Sequence, residues 1–253
     1  MDIDNSESCL IRPVTCVVLA GGKGLRALAT GDRTPKVLRC IGNGESALAN
    51  AIYRALAVAA EVIVAVGPMR RLLSTVIPSN VRLIVIDDGG NGNGNALVTA
   101  AKFAKFETIL VINADTVNDI PYGPFIDSHL ARGIGSSILL TRWPQAQNPN
   151  AYFVSSDGLV IHSLEDRIYV DDCPPPHSWS GASTGVLLFS SRDLRAMSVS
   201  KNDIVQHSIT PSFLARKLLW AFDGGCSATL DLGTPERIAQ THLLPRSSYL
   251  RRD

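Results

Sequence analysis

The sequence has almost no net charge, no long apolar run and no N-terminal segment that resembles a signal peptide. Twenty-four Lys and Arg residues nearly balance 23 Asp and Glu residues, which leaves a formal net charge of +1. That charge gives no global field for nucleic acid or an anionic membrane. No run approaches the roughly 18 apolar residues of a membrane span, and the acidic, polar residues 1–8 are wrong for a signal peptide. We therefore expect a cytoplasmic protein with neither nucleic acid nor a membrane as a partner.

Cysteine is also scarce. The five cysteines are scattered, odd in number and without a C-x-x-C pair, which argues against a disulfide framework or a zinc site and favours reduced thiols. Apolar residues, in contrast, make up 45% of the chain, and the mean hydropathy is +0.14. This composition predicts a packed core rather than extended disorder.

The first 113 residues alternate short apolar runs with helical patterns. The predicted buried strands are Val14–Ala20, Val62–Val66, Val81–Ile86 and Thr108–Asn113. The predicted helices are Ala47–Ala60, Met69–Val76 and Asn95–Phe106. Strands that alternate with helices predict right-handed βαβ units and a parallel sheet, whose ligands bind beyond the carboxyl ends of the strands.

The pattern changes after Ser136 to a mixed region. Its predicted strands are Ser136–Thr141, Ala151–Ser155, Gly158–His162, Ser183–Phe189 and Ala228–Asp231, with a hairpin turn at Ser156-Asp157-Gly158. Its predicted helices are Asp203–Arg216 and Pro235–Leu243, and Asp171–Ser180 is predicted as a loop. No linker divides the chain, so we expect a single domain over residues 1–253.

A basic glycine turn follows the first strand. Gly21-Gly22-Lys23-Gly24 lets backbone N–H groups approach an anion, and Arg26 and Lys36 add further cations. Glycines with fixed cations are suited to a polyphosphate. The same residues fit the dinucleotide fingerprint G-x-G-x-x-A, but Gly31 and Pro35 would break the helix that this fingerprint requires.

Two carboxylates end apolar strands far apart in the chain. Asp115 follows Thr108–Asn113, and Asp231 precedes Gly233-Thr234-Pro235. Carboxylates at strand ends near a phosphate loop are typical ligands of Mg²⁺, which shares its coordination shell with phosphate oxygens. Taken alone, Asp115 also fits the cap of a following helix.

These motifs, in this order, resemble the sugar-phosphate nucleotidyltransferases (nucleotide-sugar pyrophosphorylases). Leu19 to Gly24, Arg26, Pro35 and Lys36 match the signature L-A-G-G-x-G-T-R followed by P-K, and Asp231 begins a D-x-G-T-P element. Leu25, Ala27 and Ala29 depart from the signature, and Ala114 replaces a usual Gly. The resemblance implies an α/β, Rossmann-like (GT-A type) three-layer domain with a mainly parallel central mixed sheet and a small β-rich sugar-binding part.

The resemblance also implies a role for each matching residue. The nucleotide would contact Leu19, Ala20, Gly21, Gly22, Lys23, Gly24, Gly92, Gly94 and Asn95. Arg26, Lys36 and Asp115 would be catalytic, and Asp115 and Asp231 would bind Mg²⁺. The sugar phosphate would contact Glu165, Arg167 and Gly185, with Arg167 compensating for Asp166 where the family has Lys. Residues 14–115 would then form a nucleotide-binding half and residues 116–243 an acceptor-binding half.

The implied reaction joins an NTP to a sugar 1-phosphate and gives an NDP-sugar and pyrophosphate. The compact length resembles guanylyl- and thymidylyltransferases acting on mannose, heptose or glucose 1-phosphates. We favour GTP as the NTP and expect a homo-oligomer. Because Asp166 replaces the family's Lys, a cyclitol phosphate or a phosphonate is an alternative acceptor.

Two other functions fit parts of the pattern. A GT-A glycosyltransferase would use D-x-D on its metal, but Asp115-Thr116-Val117 lacks the second Asp. A regulatory subunit that binds a nucleotide-sugar without turnover would account for Leu25, Ala114 and Asp166. Retention of Lys36 and both carboxylates favours the enzyme.

Overall fold

The structure is a computed structural model that describes residues 10–21, 34–42, 44–67, 70–85, 92–133, 135–142, 151–163, 177–198, 205–233 and 235–243. Its strands are β1 (Arg12–Leu19), β2 (Ala59–Val66), β3 (Arg82–Val85), β4 (Thr108–Asn113), β5 (Thr116–Asn118), β6 (Ser136–Thr141), β7 (Ala151–Val154), β8 (Val160–Ser163), β9 (Trp179–Ser190), β10 (Leu219–Asp223) and β11 (Thr229–Asp231). Its α-helices are α1 (Ala47–Leu56), α2 (Arg70–Leu73), α3 (Asn93–Ala101), α4 (Tyr122–Arg132), α5 (Ser191–Ala196), α6 (Thr210–Ala215) and α7 (Pro235–Ala239). Shorter turns of 3₁₀ helix cover Lys36–Leu38 and Gln240–Leu243, and a π-helical turn covers Val205–Ile209.

Nine strands form one mixed sheet, whose main path runs β10-β6-β9-β4-β1-β2-β3. Within the described ranges, β9 runs antiparallel to both its neighbours on this path, while the other pairs along it are parallel. The β7–β8 hairpin joins the first residues of β9. The predicted mainly parallel mixed sheet with a β-rich part is therefore confirmed.

The strand order places a crevice at the carboxyl ends of β1 and β4. Because β1 lies between β2 and β4, the chain first winds towards β3 and then returns to the other side of β1. Open α/β sheets bind ligands where the strand order reverses in this way. Gly21 and Asp115 follow β1 and β4 by two residues each, so both lie at this edge of the sheet.

Helices cover both faces of the sheet and make it the middle of three layers, as predicted. Leu48 and Ile52 of α1 and Phe125 of α4 pack on one face. Leu97 of α3 and Phe213 of α6 pack on the other. Each of these side chains is at most 1% exposed, and burial of a side chain of this size contributes about 1.5–3 kcal/mol.

A separate two-stranded ribbon lies beside the sheet. β5 and β11 pair antiparallel, with Val117 opposite Leu230. Both residues pack with Ile41 and Leu232 in a third buried cluster. Ile41 follows closely after the 3₁₀ turn that contains Lys36, so this cluster fixes the ribbon against the Lys36 segment.

A buried arginine fixes the chain where the ribbon meets α4. Arg54 of α1 donates to the carbonyls of Asn118 and Ile120, and its guanidinium carbon lies 3.9 Å from the centroid of the Tyr122 ring. The side chain thereby satisfies two carbonyls that β-pairing leaves free in the core. It also sets the direction in which the chain leaves β5.

Several predicted helix boundaries are wrong. The helix predicted over Ala47–Ala60 ends at Leu56, because Ala59 begins β2 and pairs with Arg12 of β1. Sheet pairing here outweighs the high helix propensity of alanine. The predicted helix Asp203–Arg216 begins within its described part as a π-helical turn and becomes α6 only near Pro211, whose missing N–H breaks the hydrogen-bond ladder.

Other predicted elements have wrong bounds, and some elements of the structure were not predicted. The predicted helix Met69–Val76 is reduced to α2, and Pro235–Leu243 splits into α7 and a 3₁₀ turn. β9 begins at Trp179, inside the predicted loop Asp171–Ser180, because its first residues pair with β7; residues 171–176 lie outside the described ranges. The elements β5, α4, α5 and β10 were not predicted. The hairpin at Gly158 is confirmed, with a φ of +92° at that glycine.

No helix in the described ranges has the length and apolarity needed to cross a membrane. Cys16, Cys40 and Cys226, the cysteines in those ranges, are free thiols.

Candidate active site

Lys36 brings together the two carboxylates that the sequence places 116 residues apart. Its Nζ lies 2.8 Å from Oδ2 of Asp115 and 3.4 Å from Oδ1 of Asp231. Pro35 precedes Lys36 and fixes the backbone at the start of the 3₁₀ turn. The predicted convergence of Lys36, Asp115 and Asp231 is therefore observed.

The backbone sets the position of each carboxylate. Asp115 lies in the two-residue turn between β4 and β5, so it caps no helix. Asp231 is the last residue of β11 and pairs with Thr116 of β5. The N–H of Leu232 also donates to the carbonyl of Asp115, at 2.9 Å. Pairing of the ribbon thus brings both acids to one point beside the crevice.

The electrostatics keep Lys36 charged. Burial by itself would lower the pKa of Lys36, but the carboxylates of Asp115 and Asp231 outweigh it and raise that pKa above its ordinary value. The other carboxylate oxygen of Asp231, Oδ2, lies 4.0 Å from a guanidinium nitrogen of Arg237. The cluster therefore has fixed charges of both signs at neutral pH.

The two carboxylates fit a magnesium ion that shares its ligands with a substrate. One ammonium contacts both of them, at 2.8 and 3.4 Å, so the two carboxylates face the same point. Their side chains are 35% and 53% exposed, which leaves them accessible to an incoming ligand. No cluster of three or more Asp, Glu, His or Cys side chains occurs in the described ranges. One or two carboxylates completed by phosphate oxygens and water is the usual pattern for Mg²⁺.

Gly185 of β9 occupies a position that only glycine suits. Its φ is +75°, and an added Cβ would lie 3.1 Å from Oγ1 of Thr116 and 3.3 Å from Nδ2 of Asn113. Contacts within the protein thus account for the glycine here, and the predicted contact of Gly185 with the sugar stays a prediction. Thr116 and Asn113 flank Asp115, so Gly185 borders the carboxylate cluster.

Some residues predicted to contact the nucleotide lie in the core, and others lie at the start of α3. Leu19 and Ala20 are 5% and 2% exposed, so their side chains belong to the core and only their backbone can face the crevice. Gly21 follows them at its edge. Gly92 is the N-cap of α3, and Gly94 and Asn95 belong to its first turn, so this helix begins two residues before the predicted start at Asn95. Free N–H groups at a helix start suit an anion or a polar ligand.

Several predicted site residues lie outside the described residues. They are Gly22, Lys23, Gly24, Arg26, Glu165 and Arg167. Sequence reasoning in turn missed Asn113, Thr116 and Arg237.

The profile of the MobA-like NTP transferase domain matches residues 16–157. This segment includes Lys36 and Asp115 and covers more than half of the 253 residues. The chain belongs to this family. It is accordingly a nucleotidyltransferase, as the motifs predicted. A comparison with curated protein sequences gives no significant match.

Solved structures share the fold of this nucleotidyltransferase. HddC from Yersinia pseudotuberculosis, also solved with GMP-PN, has 20% identity and a TM-score of 0.68, with 90% of this chain and 98% of HddC covered. A Bacillus anthracis protein described as a glucose-1-phosphate thymidylyltransferase has 18% identity and a TM-score of 0.72, with 91% and 94% covered. The inositol-1-phosphate CTP transferase from T. maritima has 15% identity and a TM-score of 0.65, with 90% and 95% covered.

Proposed function

We propose that this nucleotidyltransferase joins an NTP to a sugar 1-phosphate in a Mg²⁺-dependent reaction. The observation that supports this most strongly is the contact of Lys36 with both Asp115 and Asp231 at the carboxyl edge of the sheet, at 2.8 and 3.4 Å. A lysine ammonium beside two carboxylates is suited to a metal-bound triphosphate. In this proposal residues 14–115 bind the nucleotide and residues 116–243 bind the acceptor.

An oxygen of the acceptor phosphate attacks the α-phosphorus of the NTP in this reaction. The bond from the α-phosphorus to the bridging oxygen breaks, and pyrophosphate leaves. Because the acceptor phosphate is already an anion at neutral pH, the enzyme needs no general base. Its task is to align the two phosphates and to neutralise their combined charge.

Each residue of the cluster has a part in that task. Lys36 donates to the α-phosphate, where negative charge increases in the transition state. Asp115 and Asp231 would hold the Mg²⁺ ion, which would neutralise phosphate charge when bound. In this proposal the backbone amides of Gly21 to Gly24, with Lys23 and Arg26, take the β- and γ-phosphates.

For the substrates we favour GTP and a hexose or heptose 1-phosphate. The related HddC has been solved with GMP-PN, a guanine nucleotide analogue. The T. maritima relative is an inositol-1-phosphate CTP transferase, so a cyclitol phosphate is the second candidate acceptor. Asp166, in place of the family's lysine, favours the same second candidate.

The reverse reaction tests this function. We expect the protein to convert an NDP-sugar and pyrophosphate into an NTP in the presence of Mg²⁺, with no NTP formed when EDTA is added. A panel of GDP-, dTDP-, UDP-, CDP- and ADP-sugars, with products separated by ion-exchange chromatography, identifies the base. Release of NDP instead would indicate a glycosyltransferase, and binding without any product would indicate a regulatory subunit.

A further inference from the structure

The ammonium of Lys36 occupies the point that the two carboxylates face. Its Nζ lies 2.8 Å from Oδ2 of Asp115 and 3.4 Å from Oδ1 of Asp231. A lysine side chain carries a full positive charge at neutral pH, so the protein itself supplies both carboxylates with a cationic partner. The same two carboxylates are the proposed ligands of Mg²⁺. The lysine and the metal ion therefore compete for the same side chains.

The charges in this cluster oppose simultaneous binding of both cations. Lys36 and Arg237 already balance the two carboxylates, and no third acidic, histidine or cysteine side chain joins the cluster in the described ranges. Mg²⁺ binds oxygen at about 2.1 Å, so an ion on Oδ2 of Asp115 would lie within about 5 Å of a lysine nitrogen that is 2.8 Å from that oxygen. A divalent ion and an ammonium repel each other at that separation.

Only the side chain of Lys36 has to move for the carboxylates to become available. The backbone of its turn is fixed by two hydrogen bonds, from the N–H of Leu38 to the carbonyl of Pro35 at 2.9 Å and from the N–H of Arg39 to the carbonyl of Lys36 at 3.1 Å. Val37 anchors the same turn in the core, with 8% of its surface exposed. The flexible four-carbon stem of a lysine lets its ammonium turn to another anion while the backbone stays in place.

Resting on the function proposed above, we propose that Lys36 blocks the metal site until the triphosphate binds. Its ammonium then leaves Asp115 and Asp231 for the α-phosphate, which opens the two carboxylates to the metal ion. We call the contact of Lys36 with both carboxylates the lysine block. Mg²⁺ gives up its water ligands reluctantly and is usually held by one or two carboxylates together with substrate phosphates. We therefore expect the site to take up the metal with the triphosphate and to bind free Mg²⁺ weakly.

Metal titration of the protein without nucleotide tests the lysine block. Mn²⁺ is the probe in place of Mg²⁺, and electron paramagnetic resonance measures the Mn²⁺ that remains in solution. We expect Lys36→Met to bind Mn²⁺ about tenfold more tightly than the wild type, the effect of one charge-assisted hydrogen bond that the metal no longer has to displace. Methionine keeps a flexible, unbranched side chain but carries no charge. Adding Asp231→Asn to Lys36→Met should abolish the gain, because one of the two ligands loses its charge.

A second cation of the cluster provides the matched control. Arg237 lies 4.0 Å from Oδ2 of Asp231, so Arg237→Met removes the same charge but leaves the ammonium between the carboxylates. It should change Mn²⁺ affinity by less than about threefold. Lys36→Gln should repeat the gain of Lys36→Met, and melting curves check that each variant is folded. Equal gains in Lys36→Met and Arg237→Met, or no gain in either Lys36 variant, would overturn the lysine block.

The reverse reaction keeps the lysine block and the proposed function apart. If Lys36→Met gains Mn²⁺ affinity but the wild type forms no NTP from an NDP-sugar and pyrophosphate, the lysine block stands and the proposed reaction fails. If the wild type forms NTP but Lys36→Met gains no affinity, the reaction stands and the lysine block is wrong.

Discussion

Replacement of Lys36 by alanine is expected to lower kcat by at least about 100-fold, close to 3 kcal/mol in the barrier. Lys36 is the cation that contacts both carboxylates, and in the proposed reaction it stabilises charge on the α-phosphate. Its neighbours hold its pKa above the ordinary value, so it carries full charge at neutral pH. The measurement is pyrophosphate release in the forward direction at saturating NTP and acceptor.

A second lysine provides the control for this variant. Lys102 is exposed at the end of α3, away from the carboxylate cluster, and Lys102→Ala should keep wild-type turnover. Lys36→Ala should remain folded, because Lys36 lies at the surface side of the cluster with 21% of its side chain exposed. Near-normal turnover in folded Lys36→Ala would remove Lys36 from the mechanism.

Asp115→Asn should reduce turnover to a similar extent, by about 100-fold or more. Asparagine keeps the shape of aspartate but removes the charge that binds Mg²⁺ and pairs with Lys36 at 2.8 Å. The concentration of Mg²⁺ for half-maximal activity should rise as well, which separates a metal ligand from a residue that only positions Lys36. The assay is pyrophosphate release over a Mg²⁺ titration.

Asp127→Asn is the matched control, since Asp127 also pairs with a cation, Arg12, but on the outer side of α4. An exposed ion pair of this kind contributes little to stability, so the control should have the turnover and Mg²⁺ requirement of the wild type. An Asp115→Asn variant with reduced turnover but an unchanged Mg²⁺ requirement would argue against Asp115 as a metal ligand.

The parts of the fold that were predictable are those that a local pattern encodes. β4 and β6 appear with the predicted bounds, because each has an unbroken apolar stretch between polar residues and is buried on both faces. The missed helix α4 has Gly123 and Pro124 in its first turn, and these obscure the apolar spacing of Tyr122, Phe125 and Ile126. β5 and β11 have three residues each, and β5 is defined only by its pairing with β11.

The candidate site also has parts that could be predicted from the sequence and parts that could not. Lys36, Asp115 and Asp231 were predictable because each lies in a motif whose order along the chain carries the information. The contact of Asn113 and Thr116 with Gly185 was not, because Gly185 lies 72 residues after Asn113 in the sequence. A tertiary contact of this kind leaves no periodic or local signal.

Anomalous diffraction from crystals grown with Mn²⁺ and a non-hydrolysable GTP analogue would show whether the two carboxylates share one metal ion. We expect one Mn²⁺ peak within coordination distance of both Asp115 and Asp231 and of the triphosphate, with Lys36 turned towards the α-phosphate. A metal bound to the triphosphate away from these two carboxylates would contradict it.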